Sequence, residues 1–466
     1  MKKTVVINVV GLSETLIGDH TPFLRSYIEK GSMARVRPVF PAVTCTAQST
    51  YLTGRIPAGH GIVGNGWYFK EEYEVKFWRQ SNRLVQGEKI WDVLRKEEAG
   101  FSCANLFWWY NMYASADYSV TPRPNYLADG RKIPDVYSYP ADLRDELQDS
   151  LGQFPLFKFW GPATDISSSE WIAEAAKMVD EKYDPTLTFI YLPHLDYNLQ
   201  RYGPDLNKVR KDLEEIDLLV KDLVSWYEKK EASILVLSEY GITPVSQPVH
   251  INRTLREHGF LSVRTERGRE LLDAGASEAF AVADHQAAHV YVKHPENLGK
   301  VAALLNKLPG VESVWTGEER AEIGLDHERA GDIVVSADAN SWFTYYYWLD
   351  DKKAPDFART VDIHRKPGYD PAEMFTDPEK PLMPMRIVWK LLKKKLGFRT
   401  LMDVIPLRAD LIKGSHGRIP ENAEDFPVVI TNSNLFDNTN QINAHEVFTL
   451  IKDLVCKSRN YEKSLS

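Results

Sequence analysis

Phe40-Pro41-Ala42-Val43-Thr44-Cys45-Thr46-Ala47-Gln48-Ser49-Thr50 runs into Tyr51-Leu52-Thr53-Gly54-Arg55, and then into Gly59-His60-Gly61-Ile62-Val63-Gly64-Asn65. The first residues read as an extended run that ends at Thr44. A small-residue helix and a glycine-rich turn follow. A hydroxyl at the start of a helix has two readings. It caps the helix, or it is a covalent nucleophile held where free backbone N–H groups and the helix dipole favour negative charge.

The bulk composition narrows the classes. A chain of 466 residues, 43% hydrophobic and 26% charged, is an ordinary globular protein with room for a large core and a subdomain. A net charge of −8 argues against nucleic acid as a partner. Cys45, Cys103 and Cys456 are too few and too far apart for a disulfide framework or a CxxC metal knuckle. They fit a reducing compartment. Met1-Lys2-Lys3 and the apolar run from Thr4 to Val10 resemble a signal peptide, but Asn8 breaks the run and no small-residue cleavage site follows. A buried first strand is the better reading. No stretch reaches the roughly 20 apolar residues of a membrane span. A cytoplasmic protein is expected, and a homo-oligomer is left open.

Short β runs alternate with longer helical segments, which is the α/β pattern. Val5 to Val10, Ser102 to Phe107, Leu187 to Leu192 and Ser233 to Leu237 read as strands. Ser168 to Val179 and Leu206 to Lys229 read as helices, the latter with Val209, Leu213, Ile216, Val220 and Leu223 near 3.6 periodicity. Residues 251–345 change character and read as a small inserted α+β cap: strands His289 to Lys293, Val311 to Trp315 and Gly331 to Ser336, and a helix Glu296 to Leu308. Residues 346–399 read as a long loop and a basic helix, Arg386 to Arg399 (RIVWKLLKKKLGFR). That helix is either a solvated basic face or a membrane-surface element. Residues 400–466 return to the core formed by 1–250, with Ile442 to Lys457 as the terminal helix.

Residues 38–65 resemble the nucleophile segment of the alkaline phosphatase superfamily, in its type I phosphodiesterase/nucleotide pyrophosphatase branch, with phosphonoacetate hydrolases close by. The resemblance implies a mostly parallel α/β sheet with helices on both faces, and it places Thr44 on the nucleophile. It also implies two divalent ions about 4 Å apart, which activate the hydroxyl and stabilise phosphoryl oxygens, bound at the carboxyl ends of sheet strands.

Each ligand segment of that family has a counterpart here, and several are altered. The family's carboxylate after strand one is Val10, with Asn8 two residues earlier. The D-x-x-x-H segment reads Asp196-Tyr197-Asn198-Leu199-Gln200, so Gln200 stands where a histidine is expected. The S-D-H-G segment reads Ser238-Glu239-Tyr240-Gly241, and the late His-Gly is Gly414-Ser415-His416-Gly417. The usual Asn three residues after the Thr is Ala47, so Gln48 or Asn65 is expected to bind the substrate. The resemblance thus implies metal ligands Asp196, Gln200, Glu239 and His416, with one or two ions. Loss of imidazoles shifts preference from Zn²⁺ toward Mg²⁺ or Mn²⁺. His194, His285 and His364 are candidate replacements. His194 would share a face with Asp196 if both lay on a strand.

The aromatic run Phe107 to Tyr113 either stacks on a substrate or packs a loop. The C-x-P-S-R motif of sulfatases is absent. The expected function is hydrolysis of a phosphodiester, pyrophosphate or phosphonate bond in a small phosphorylated or phosphonate metabolite through a phospho-threonine at Thr44. Two alternatives stand beside it: a non-catalytic binding protein on the same scaffold, and a phosphoryl transferase.

Overall fold

The computed structural model describes residues 1–433, 435–436 and 441–456. Lys457, the last residue of the expected terminal helix, lies outside them, as does the rest of the C-terminus.

Nine strands form the main sheet, in the spatial order Gln441–Asn443, Ser32–Arg37, Val428–Thr431, Ser233–Leu237, Thr4–Val9, Leu187–Leu192, Cys103–Leu106, Tyr118–Pro122, Val136–Tyr139. Val428–Thr431 and Val136–Tyr139 run antiparallel to their neighbours, and the other pairings are parallel. The central strands are continuous apolar runs, which fits burial on both faces. Ser167–Tyr183 and Arg210–Glu228 pack together on the sheet, with Pro22–Lys30 beside the latter. Glu446–Cys456 packs with Thr44–Thr53 and Ile90–Glu97. The expected helices begin and end within a few residues of these bounds, as fraying helix ends do.

Three adjacent strands carry the site at their carboxyl ends. Asn8, at the end of Thr4–Val9, is in register with Leu237 on one side and Tyr191 on the other. Glu239 follows the strand Ser233–Leu237. After Leu187–Leu192 the chain turns at Pro193 straight into the helix His194–Tyr202. The helix Thr44–Thr53 is buried along its whole length. It stops at Gly54, whose φ of +65° is a left-handed conformation that glycine adopts without steric cost.

The inserted region is a four-stranded antiparallel sheet, in the order Ala279–Asp284, Ala287–Val292, Ile333–Ala337, Val311–Thr316, with the helix Leu298–Leu305 against it. The sequence reading lacks the strand Ala279–Asp284. Its alanines and short apolar run carry little β signal, and tertiary packing decides it. The cap's hydrophobic cluster also takes in Tyr345 to Trp348, Tyr369, Ala409 and Ile412, so the long loop is packed as part of the cap. The turn between the first two cap strands, Asp284-His285-Gln286, reaches down to the main sheet's active face.

Candidate active site

Thr44 is the first residue of its helix, but its hydroxyl does not cap that helix. Val43 occupies the cap position without a side-chain cap bond, and Thr44 Oγ1 lies 3.2 Å from the Tyr240 hydroxyl. Tyr240 in turn donates to Asp196 Oδ1 at 3.1 Å. Since Tyr240 has one proton and spends it on Asp196, Thr44 is the donor to Tyr240. The result is a proton chain from Thr44 through Tyr240 to a carboxylate. Thr44 is buried, and the first backbone N–H groups of its helix have no intrahelical partner.

Asp196 Oδ2 accepts from the Gln200 amide at 2.8 Å, one helical turn along, and Gln200 Oε1 accepts from the Tyr369 hydroxyl at 3.0 Å. A stack of four rings closes the loop. Tyr240 lies on His416, with centroids 3.6 Å apart. His416 lies 3.7 Å from His285, and His285 lies 3.6 Å from Tyr369. His416 Nδ1 bonds the Ala42 carbonyl at 2.8 Å, which fixes the ring beside the nucleophile segment. His285 adopts φ +59°, uncommon outside glycine, and its Nδ1 faces Asp284 at 2.9 Å.

Glu239 occupies the other half of the site. Its Oε1 accepts from Asn8 at 2.6 Å and from the Gln48 amide. Burial pushes the Glu239 carboxyl up to about 8, although hydrogen bonds from Gln48 and Asn8 pull the other way. Burial raises Asp196 to about 6, against the bonds from Gln200 and Tyr240. Burial, followed by the charges of Asp196 and Glu239, holds the Tyr240 phenol well above its ordinary value, so it is neutral. Burial drops His416 and His285 well below the usual imidazole range.

The two residues expected to bind substrate are engaged elsewhere. Gln48 gives its amide to Glu239 and accepts from the Trp109 backbone at 2.7 Å. Asn65 Oδ1 accepts from the Cys45 N–H at 3.0 Å, while its own N–H groups donate to Asp284 at 2.7 Å (backbone) and 3.1 Å (side chain). Gln48 thus holds Glu239, and Asn65 ties the nucleophile helix to the cap.

The expected metal set is only partly open to an ion: among the described residues Glu239 Oε2 and His416 Nε2 are buried without a hydrogen-bond partner, and the other positions are altered or engaged. Val10 offers no donor, and Tyr240 is a neutral phenol. Asp196 and Gln200 spend their facing atoms on one another and on two tyrosines. Among the described residues, no three of Asp196, Glu239, Asp284, His285 and His416 bring ligand atoms within 4.8 Å of one another; His194, Asp212 and Glu215 do. His194 is therefore corrected as well. On a helix, two residues apart is nearly opposite faces, so His194 turns away from Asp196. Its Nε2 lies 3.4 Å from Asp212 and 3.2 Å from Glu215, and this ion-pair geometry accounts for it. His364 is exposed in a surface groove beside Tyr73 and Phe357. His285 does join the site, through ring stacking. Phe107 to Tyr110 are buried, as a packed loop. Asn8 and Tyr369 complete the site beyond the expected set. A lone polar residue inside the apolar run of a central strand was the signal for Asn8. Tyr369, on the long loop, had none.

A threonine at a helix start, facing the carboxyl ends of a mostly parallel sheet and roofed by an inserted cap, defines an alkaline phosphatase-like scaffold. The chain belongs to the type I phosphodiesterase/nucleotide pyrophosphatase family, whose model matches residues 4–370. This family is hydrolytic and generally dependent on divalent metal. An uncharacterised pyrophosphatase/phosphodiesterase of Schizosaccharomyces pombe is 25% identical over 254 residues, covering 52% of this chain and 45% of the relative. Ectonucleotide pyrophosphatase/phosphodiesterase 2 of Saccharomyces cerevisiae is 24% identical over 264 residues, covering 52% and 48%. These matches thus span about half the length of the curated relatives. Murine ectonucleotide pyrophosphatase/phosphodiesterase 5, solved as an inactive variant with AMP, superposes with a TM-score of 0.59 at 15% identity, covering 98% of this chain and 95% of that one. Phosphonoacetate hydrolase from Sinorhizobium meliloti, with phosphonoacetate, gives 0.61 at 15%, covering 97% and 96%.

Proposed function

We propose that the protein hydrolyses a phosphodiester, pyrophosphate or phosphonate bond in a small metabolite, with Thr44 as the nucleophile. The observation that carries this reading is the chain Thr44–Tyr240–Asp196. As Thr44 Oγ1 bonds to phosphorus, its proton passes to Tyr240, and the Tyr240 proton passes to Asp196. The bond from phosphorus to the leaving group breaks, and Glu239 protonates that group. Water then attacks the phospho-threonine, giving its proton to Glu239, while the Thr44 oxygen recovers a proton through Tyr240. The two carboxyls sit at about 6 and about 8, so near neutrality one is a base and the other an acid. Both differ from ordinary carboxyls because burial penalises their charged forms.

The three thiols are unpaired, in keeping with a reducing, cytoplasmic compartment. The AMP and phosphonoacetate held by the two structural neighbours support a small phosphorylated or phosphonate substrate. The test is p-nitrophenol release from bis(p-nitrophenyl) phosphate and from p-nitrophenyl phenylphosphonate. Wild type should turn over at least one of them, and Thr44→Ala neither.

A second reading, binding without turnover, is favoured by one specific observation: Gln48 and Asn65 each give a side-chain amide hydrogen to a buried carboxylate of the protein. It predicts that AMP or a phosphonate binds and is recovered intact.

A further inference from the structure

The expected basic helix is present as Met383–Lys395, and most of its large apolar side chains face outward. Met383 and Ile387 pack inward with Val404 and Ile405. Met385, Val388, Trp389, Leu392 and Leu396 form a stripe at i, i+3, i+4, i+7 and i+11, and each is between 44% and 65% exposed. Leu382, Phe398 and Leu401 extend it at both ends. An amphipathic helix ordinarily turns such a stripe into the core. Here a separate inward face already docks the helix, and the stripe is left over.

Charge says what covers it. Between Lys380 and Met402 there are seven basic side chains and no acidic one, in a chain of net charge −8. Lys390 is held by Asp403, and Lys393 lies 5.3 Å over the Trp389 ring. Large apolar groups with an aromatic among them, flanked by lysine and arginine, match the boundary between acyl chains and anionic headgroups. A protein partner would ask for acidic groups at fixed positions, whereas a lipid surface asks only for net charge and an apolar layer.

We propose that Met383–Lys395 lies in the plane of an anionic lipid surface and holds the protein there as a peripheral protein. The stripe enters the acyl boundary, and Arg386 and Lys395, both exposed, meet headgroups. The helix packs on the same segment as Ala372, three residues beyond Tyr369, so the membrane lies beside the loop that completes the site.

Full-length protein is sedimented with vesicles of equal parts phosphatidylglycerol and phosphatidylcholine, and with pure phosphatidylcholine, at low and high salt. Wild type should partition at least tenfold more strongly to the anionic vesicles at low salt, with a blue shift in tryptophan emission. Trp389→Ser with Leu392→Ser, and separately Arg386→Glu with Lys395→Glu, should each lose at least tenfold. All four positions are on the surface, so an unchanged circular dichroism spectrum and melting temperature show that the fold is kept. No partitioning of wild type, or equal partitioning of the variants, overturns the proposal. A dimer in light scattering that the serine pair dissociates, without vesicle binding, assigns the stripe to a second copy and overturns it too.

Discussion

Tyr240 lies face to face on His416, with ring centroids 3.6 Å apart and planes 5° apart, while its hydroxyl joins Thr44 to Asp196. The ring and the hydroxyl therefore do different things, and substitution can separate them. Tyr240→Phe keeps the stack and cuts the proton chain. It should lower kcat by about 10²–10⁴-fold, the range of a lost general base, while the melting temperature moves by a few degrees at most. Steady-state kinetics and calorimetry on the same preparation check both halves.

The two buried carboxyls set the pH profile. Turnover should rise as Asp196 ionises near 6 and fall as Glu239 loses its proton near 8. Glu239→Gln should lower the rate and remove the alkaline limb, leaving the acid limb in place. A profile measured from pH 5 to 9 by quenched sampling reads both limbs.

Stability carries the same carboxyl with a defined sign. The folded state holds the Glu239 proton up to about 8, whereas the unfolded chain releases it near about 4.3. Its contribution is thus full below that lower value and is lost as pH rises through 8. Asp196 and Asp284, both raised to about 6 by burial, add to the loss over the lower part of that window. The urea midpoint should fall between pH 5 and 8, and Glu239→Gln should flatten the upper part of the decline.

Asn65 is predicted to matter for folding before chemistry. Asn65→Ala strips the side-chain donor from the buried Asp284 carboxyl, leaving the backbone one, and removes the acceptor of the Cys45 N–H. Leaving such groups unsatisfied costs about 1–3 kcal/mol each at most, partly shared where Asp284 takes up a proton. Urea unfolding should show a loss in that range. Asn65→Asp, which restores the acceptor but sets two carboxyls together, should not rescue it.

Thr44 and the central strands were legible because they depend on local pattern: an apolar strand, then a polar hydroxyl, then small residues and glycine turns. Asp196, Glu239 and His416 were located through the resemblance, and the structure brings all three around Tyr240 and Thr44. Their contacts were not legible. His194 was set on the wrong side because Pro193 starts a helix where strand geometry had been carried forward, and a helix reverses the facing of residues two apart. The four-ring stack joins residues from four separated segments, and no local pattern encodes it. A ligand set carried over from relatives also assumes that the replaced residues leave vacancies. Here Tyr240, Gln200 and Asn8 bond the remaining carboxyls instead.

The central claim is covalent attack by Thr44. Wild type mixed with bis(p-nitrophenyl) phosphate and quenched in acid within the first turnover should yield a peptide spanning residues 38–55 that carries a phosphoryl ester on Thr44 in tandem mass spectrometry, and Tyr240→Phe should accumulate less of it. Turnover by wild type with that peptide unmodified, or retained in Thr44→Ala at the wild-type rate, would contradict the account.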